Sequence, residues 1–189
     1  CGSNLEAETV VSSMSSASVI VPLSATQAIS TAGSYNYYAR VTDAAGNASP
    51  CTLRSFTYDN IAPTVSRVIA TKVNGADFVS PDSLKSGDVL EFDVEFSEPL
   101  SFGGSRQAQV VWALNGNPHA TCSSVTSQRL LCNYVVGASD SSNKLDYASI
   151  SALSLSSSTL TDTAGNNANL ALPTPGTSTS LSGTGTVIL

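Results

Sequence analysis

The chain has 189 residues with a formal net charge of −6, and it carries no Lys/Arg cluster able to neutralise a run of phosphates, which excludes nucleic-acid binding. No apolar run reaches membrane-spanning length, so no segment is expected to insert in a bilayer. Charged residues make up 12% and hydrophobic residues 41%, and a background of Ser, Thr, Val, Ala and Gly favours short strands and turns around a core rather than helices or disorder.

In chain order, short strands are expected at residues 10–11 and 18–21. Residues 35–42 give the first clean alternation: Tyr35, Tyr37, Ala39 and Val41 share a face opposite Asn36, Tyr38, Arg40 and Thr42. Strands are also expected at 52–58 and 65–71. The segment between them, Asp59-Asn60-Ile61-Ala62-Pro63-Thr64-Val65, reads as a boundary, because Pro63 holds the chain extended ahead of a new apolar run. It divides the chain into modules at 1–60 and 64–189. The first is short for a complete sandwich, which fits a module lacking a strand at its N-terminal side.

The strongest alternation lies at 89–96. Leu90, Phe92, Val94 and Phe96 form an apolar face, and Val89, Glu91, Asp93 and Glu95 are expected to face solvent. Ser86-Gly87-Asp88 supplies the turn before this strand and Glu98-Pro99 ends it. Residues 107–114 alternate again, with Ala108, Val110, Trp112 and Leu114 together and Trp112 expected in the core. Strands at 130–136, 150–155 and 186–189 complete the set, separated by turns at Asn74-Gly75, Asn115-Gly116 and 139–143. Residues 173–185 are rich in Pro, Gly, Ser and Thr. They are expected as a long loop feeding the final strand, since 186–189 would otherwise be an exposed apolar end. The fold class is all-β: two tandem antiparallel β-sandwich modules.

The four cysteines show no C-x-x-C spacing, and the only histidine is His119, so a Cys/His zinc site is not indicated. An even count in such a chain reads as two disulfides. Cys122 and Cys132 flank an expected hairpin turn, which leaves Cys1 with Cys51, and bridges imply an oxidising compartment. A chain starting Cys-Gly-Ser-Asn also looks like a bacterial lipoprotein, anchored by lipid on Cys1, but that reading strands Cys51. With no leader visible, the chain reads as mature or excised.

Catalysis is not expected. Glu91, Asp93 and Glu95 lie along one strand face rather than across a cleft with Glu98, and His119, placed in a loop beside Asn117-Pro118, has no partner near in sequence. The polar loops 115–120 and 139–146 are the expected recognition surfaces, with Asn115, Asn117, His119, Asp140 and Asn143 as ligand contacts.

One pentapeptide recurs: Asp43-Ala44-Ala45-Gly46-Asn47 and Asp162-Thr163-Ala164-Gly165-Asn166, both D-x-A-G-N. The physics is that of a tight turn, with the Asp carboxylate as cap and Gly in the left-handed conformation. Residues 35–47 together with Tyr58-Asp59 and Ala62-Pro63-Thr64-Val65 resemble the bacterial immunoglobulin-like repeats of large surface adhesins. Gly87-Asp88-x-Leu90-x-Phe92-x-Val94-x-Phe96-Ser97-Glu98, Leu131-x-Asn133-Tyr134-x-Val136 and the stretch from Leu160 to Leu170 are similar to cadherin-like repeats of SwmB type. The Cys122/Cys132 pair and the region of His119 depart from that pattern.

The resemblance implies tandem, extracellular, immunoglobulin-like modules on a bacterial surface, binding a cell-surface protein or glycan. Some members of the resembled families hold calcium with such turns and linkers, and the matching donors here are Asp43, Asn47 and Asp59 in the first module and Asp162 and Asn166 in the second; hydrogen-bonded turns without metal are the reading preferred to it. A stalk without a ligand of its own, and accessory modules of an extracellular enzyme, are the competing readings.

Overall fold

The computed structural model describes residues 29–41, 43 and 45–189. The chain divides between Ile61 and Ala62 into two units. In the first, β1 (Gly33–Ala39) and β2 (Thr52–Tyr58) form an antiparallel pair in unbroken register, from Gly33 opposite Tyr58 to Ala39 opposite Thr52. The rings of Tyr35 and Phe56 stack across the pair with centroids 5.8 Å apart. The face expected to be apolar is nevertheless open, with Tyr37 50% and Val41 59% exposed. Among the described residues no second layer covers this pair, and alternation alone does not bury it. The strands expected at 10–11 and 18–21 lie outside the described residues.

The second unit is built on one seven-stranded antiparallel sheet. Its strands are β3 (Val65–Val73), β4 (Ala76–Asp77), β6 (Val89–Phe96), β8 (Ala108–Val111), β9 (His119–Thr126), β10 (Arg129–Val135) and β11 (Leu153–Leu155), in the spatial order β11-β8-β9-β10-β6-β3-β4. Four shorter strands form two two-stranded pairs: β5 (Asp82–Ser83) runs parallel to β13 (Val187–Ile188), and β7 (Ser101–Gly104) pairs with β12 (Ser158–Thr161). A single helical turn, α1 (Leu181–Thr184), is capped by the Ser180 hydroxyl. No helix among the described residues is long and apolar enough to cross a membrane.

The alternation of β6 decides which side of the sheet is dry. Leu90, Phe92, Val94 and Phe96 are buried on one face, joined by Val68 of β3, Leu130, Cys132 and Tyr134 of β10, and Val110 of β8 with Trp112 just beyond it. Phe102 of β7, Leu160 of β12, Leu181 and Val187 belong to the same core from outside the large sheet. Trp112 is completely buried, with its ring 5.1 Å from Phe92 and 5.3 Å from Tyr134.

The Pro- and Ser-rich stretch 173–185 is held by one carboxylate. Asp146 Oδ2 accepts from the Gly176 N–H at 2.9 Å, the Ser180 hydroxyl at 2.8 Å and the Ser182 hydroxyl at 2.6 Å. The Tyr147 hydroxyl donates to the Pro173 carbonyl at 2.6 Å. The segment therefore delivers β13 to the core as a loop, and the apolar end is covered.

Two expectations are corrected. His119 opens β9, opposite Val111, rather than sitting in a loop. The residues Glu91, Asp93 and Glu95 are not a solvated face: Asp93 is buried, and Glu91 and Glu95 are only partly exposed. β6 is a central strand, so its outward side chains lie under those of β3 and β10. Arg67 and Arg129 flank Glu95 in register and lay their stems over it.

Cys122 and Cys132 are bridged across β9 and β10, with Cα atoms 4.0 Å apart and both side chains buried. The hairpin between them turns at Ser127, whose φ is 55°. Cys51 is also disulfide-bonded; Cys1, its expected partner, lies outside the described residues. No described cysteine is free. Replacing Cys122 and Cys132 together by Ala should lower the stability of the second unit by about 3 kcal/mol, as loop-closure entropy dictates. Urea unfolding followed by circular dichroism checks this, and a loss below about 1 kcal/mol would make the bridge incidental.

Candidate functional site

Three groups of polar side chains stand out: the repeated turns, a charge ladder on the outer face of the large sheet, and the loops at one end of that sheet.

The two D-x-A-G-N segments fold in the same way. In the first, the Asp43 N–H donates to the Asn47 carbonyl at 3.0 Å. Asp43 Oδ1 accepts from the Ala45 and Asn47 N–H groups at 2.9 and 2.8 Å, and Oδ2 accepts from Asn47 Nδ2 at 2.8 Å. In the second, Asp162 N–H donates to the Asn166 carbonyl at 3.1 Å, Oδ1 accepts from Asn166 N–H at 2.8 Å, and Oδ2 from Asn166 Nδ2 at 2.7 Å. Gly46 and Gly165 take positive φ of 88° and 95°, which closes each turn. The environments differ: Asp43 is exposed, whereas Asp162 is 3% exposed.

These donors hold both carboxyls below the usual carboxylate range. For Asp43 the Asn47 side chain is the main cause. For Asp162, burial pushes upward and is outweighed by the Asn166 side chain and the backbone donors of the turn.

As metal donors, the predicted residues are spent largely on their own turns. Asp59 Oδ1 accepts from the Ile61 N–H at 3.0 Å. Within the second unit, one carboxylate oxygen of Glu98 lies within 4.8 Å of one of Asp162. In sequence Glu98 reads as the end of a strand and as one of the carboxylates weighed for catalysis; its proximity to Asp162 is tertiary and carries no local signal.

The ladder crosses three strands. Arg67 Nε donates to Glu95 Oε2 at 2.5 Å, Arg129 Nη2 lies 2.9 Å from Glu95 Oε1, and Arg129 Nη1 lies 3.3 Å from Asp93 Oδ2. The Glu95 Oε1 contact is an ion pair without hydrogen-bond alignment. Hydrogen bonding from Arg67 leads in holding the Glu95 carboxyl low. Asp93 goes the other way, since burial pushes it up more than Arg129 draws it down. Three of the four carboxylates considered for catalysis thus lie on one strand, and its two Arg neighbours neutralise Asp93 and Glu95.

The strand register gathers the loop residues. β8 ends where β9 begins, Val111 opposite His119, and β10 ends where β6 begins, Val135 opposite Val89. Residues 112–118 and 136–146 therefore share the end of the sheet opposite to Val65 and Phe96, where β3 starts and β6 finishes. Asn115, Asn117, His119 and Asn143 are exposed there. Asp140 is engaged differently: its carboxylate accepts the Tyr134 hydroxyl and the Gly137 N–H. Burial and that bond raise the Tyr134 phenol well above its usual value.

Compared with known proteins, the chain matches no family model, no curated protein and no solved structure.

Replacing Asp162 by Ala removes a buried acceptor from two part-buried amide donors of Asn166 and should cost about 2 kcal/mol. Asp43→Ala, which exposes the same donors to water, should cost less. Chemical denaturation of the two variants checks the order, and equal losses would refute the role given to burial.

Acid should destabilise the second unit. Asp88, held low chiefly by the Lys85 N–H and by Asn74, joins Asp162 and Glu95 in having a folded pKa below its unfolded value. Their contribution is present above the unfolded values, near 4, and is lost as pH falls through the folded ones. Asp93, with its folded pKa raised, opposes the trend by favouring the fold as it protonates. Thermal melts should show a Tm falling steadily below about pH 4, less steeply in Asp162→Asn. A flat profile would overturn this.

Proposed function

We propose that the chain is part of an exported bacterial surface protein, two immunoglobulin-like sandwich modules in tandem, and that the second binds a cell-surface protein or glycan through its end loops. The observation that carries the reading is the gathering of Asn115, Asn117, His119 and Asn143, exposed and polar, at the end of the sheet opposite to where the chain enters it. Loops fixed at one end of a rigid sheet are a common site of recognition, because they vary without disturbing the core. Two further features support the setting: the buried Cys122–Cys132 bridge suits an oxidising compartment, and the repeated turn in both units suits tandem modules. Asp140 belongs to this reading as a support, since it fixes the loop that carries Asn143.

Glycan and cell-surface protein arrays probed with the full chain test it. Binding is expected, and Asn115→Ala, Asn117→Ala and His119→Ala combined should weaken it by about tenfold or more, the loss of about 1.4 kcal/mol of contacts. A chain that binds nothing on either array leaves spacing as its function, and binding that survives the triple variant unchanged removes these loops from it.

A further inference from the structure

The chain contains two Asn-Gly pairs, Asn74-Gly75 and Asn115-Gly116. Glycine after asparagine opposes ring closure least, because it brings no Cβ to the approach of its nitrogen on the side-chain carbonyl. We propose that Asn115 is a site of spontaneous deamidation on the folded protein and that the fold protects Asn74. In the reaction the Gly116 backbone nitrogen attacks Asn115 Cγ and gives up its proton, and Nδ2 departs with that proton as ammonia. The five-membered succinimide that results is opened by water at one of its two carbonyls. Opening at the former side-chain carbonyl gives aspartate, and opening at the backbone carbonyl gives isoaspartate. No oxidant or enzyme is required.

The two sites differ in what holds the carboxamide. Asn74 is tied at both ends: Nδ2 donates to Asp88 Oδ1 at 2.9 Å, and Oδ1 accepts from the Val89 N–H at 2.9 Å. Its backbone N–H also donates to the Val89 carbonyl at 2.9 Å. Turning Cγ onto the Gly75 nitrogen breaks this clamp between the β3–β4 turn and the start of β6. Asn115 is exposed, and its carboxamide has no hydrogen-bond partner among the described residues. Gly116 has a φ of 80°, and a Cβ built there would meet nothing within 4 Å, so the turn is open on that side. The closing bond of the turn, from the Asn117 N–H to the Leu114 carbonyl at 3.0 Å, leaves both the Asn115 side chain and the Gly116 nitrogen out. The product adds a negative charge at the end of the sheet that carries His119.

The full chain, incubated at mildly alkaline pH and sampled over time, is reduced and cut with trypsin. Residues 107–129 and 73–85 then report separately by mass spectrometry on Asn115 and Asn74. In the folded chain the Asn115 peptide should convert about tenfold faster or more, the cost of two hydrogen bonds in the barrier for Asn74. In urea the two rates should converge. Asn115→Gln should remove the main acidic species on ion exchange without changing the thermal midpoint. Equal rates in the folded chain, or a ratio that persists in urea, overturn the proposal.

Discussion

The second unit depends on one constraint: a pleated strand sends alternate side chains to opposite faces, and one face of its large sheet is dry. Burying Leu90, Phe92, Val94 and Phe96 contributes about 1.5–3 kcal/mol for each side chain, and their neighbours across β3 and β10 must present matching apolar groups. The same geometry leaves no freedom on the other face. Glu91, Asp93 and Glu95 have to point outward from a strand in the middle of the sheet, where water is scarce. Arg67 and Arg129 answer that demand from the two adjoining strands, at the register positions flanking Glu95. The ladder is thus a consequence of the core on the far side.

The repeated turn shows how local and tertiary effects separate. Five residues suffice to specify the same loop twice, down to which carboxylate oxygen takes which amide. Burial of its aspartate is decided elsewhere: Asp43 is exposed, and Asp162 is buried within the second unit. Asp146 is the complementary case, an acidic residue with no motif around it that gathers Gly176, Ser180 and Ser182 from far along the chain.

How much was legible follows the same division. Strands with strong alternation, β6 above all, and the stretch around Trp112 could be read directly, as could β2 and the path of 173–189 back to the core. The Cys122–Cys132 hairpin could be read from its spacing. β9 could not, because its inward residues are only Ala120 and Cys122 among Ser and Thr. β7 and β12 were hidden as well: each contributes one large apolar residue, Phe102 opposite Leu160, in a background of Gly, Ser and Thr. Of the polar candidates, the sequence identified the turns and the loops but not their setting. Glu98 near Asp162, the inward commitment of Asp140 and the pairing of Asp93 with Arg129 depend on contacts between distant segments, which no local pattern encodes.

Trp112 is the chain's only tryptophan, fully enclosed, and its indole N–H has no acceptor among the described residues. It is therefore a built-in optical reporter for one unit alone. Light absorbed selectively by indole returns as short-wavelength emission while that core stays closed, and it shifts to longer wavelength once water enters. The tyrosine-bearing strands of the other unit are silent in that channel. The unfolding of the second unit can therefore be followed by itself in the intact protein, with no label attached.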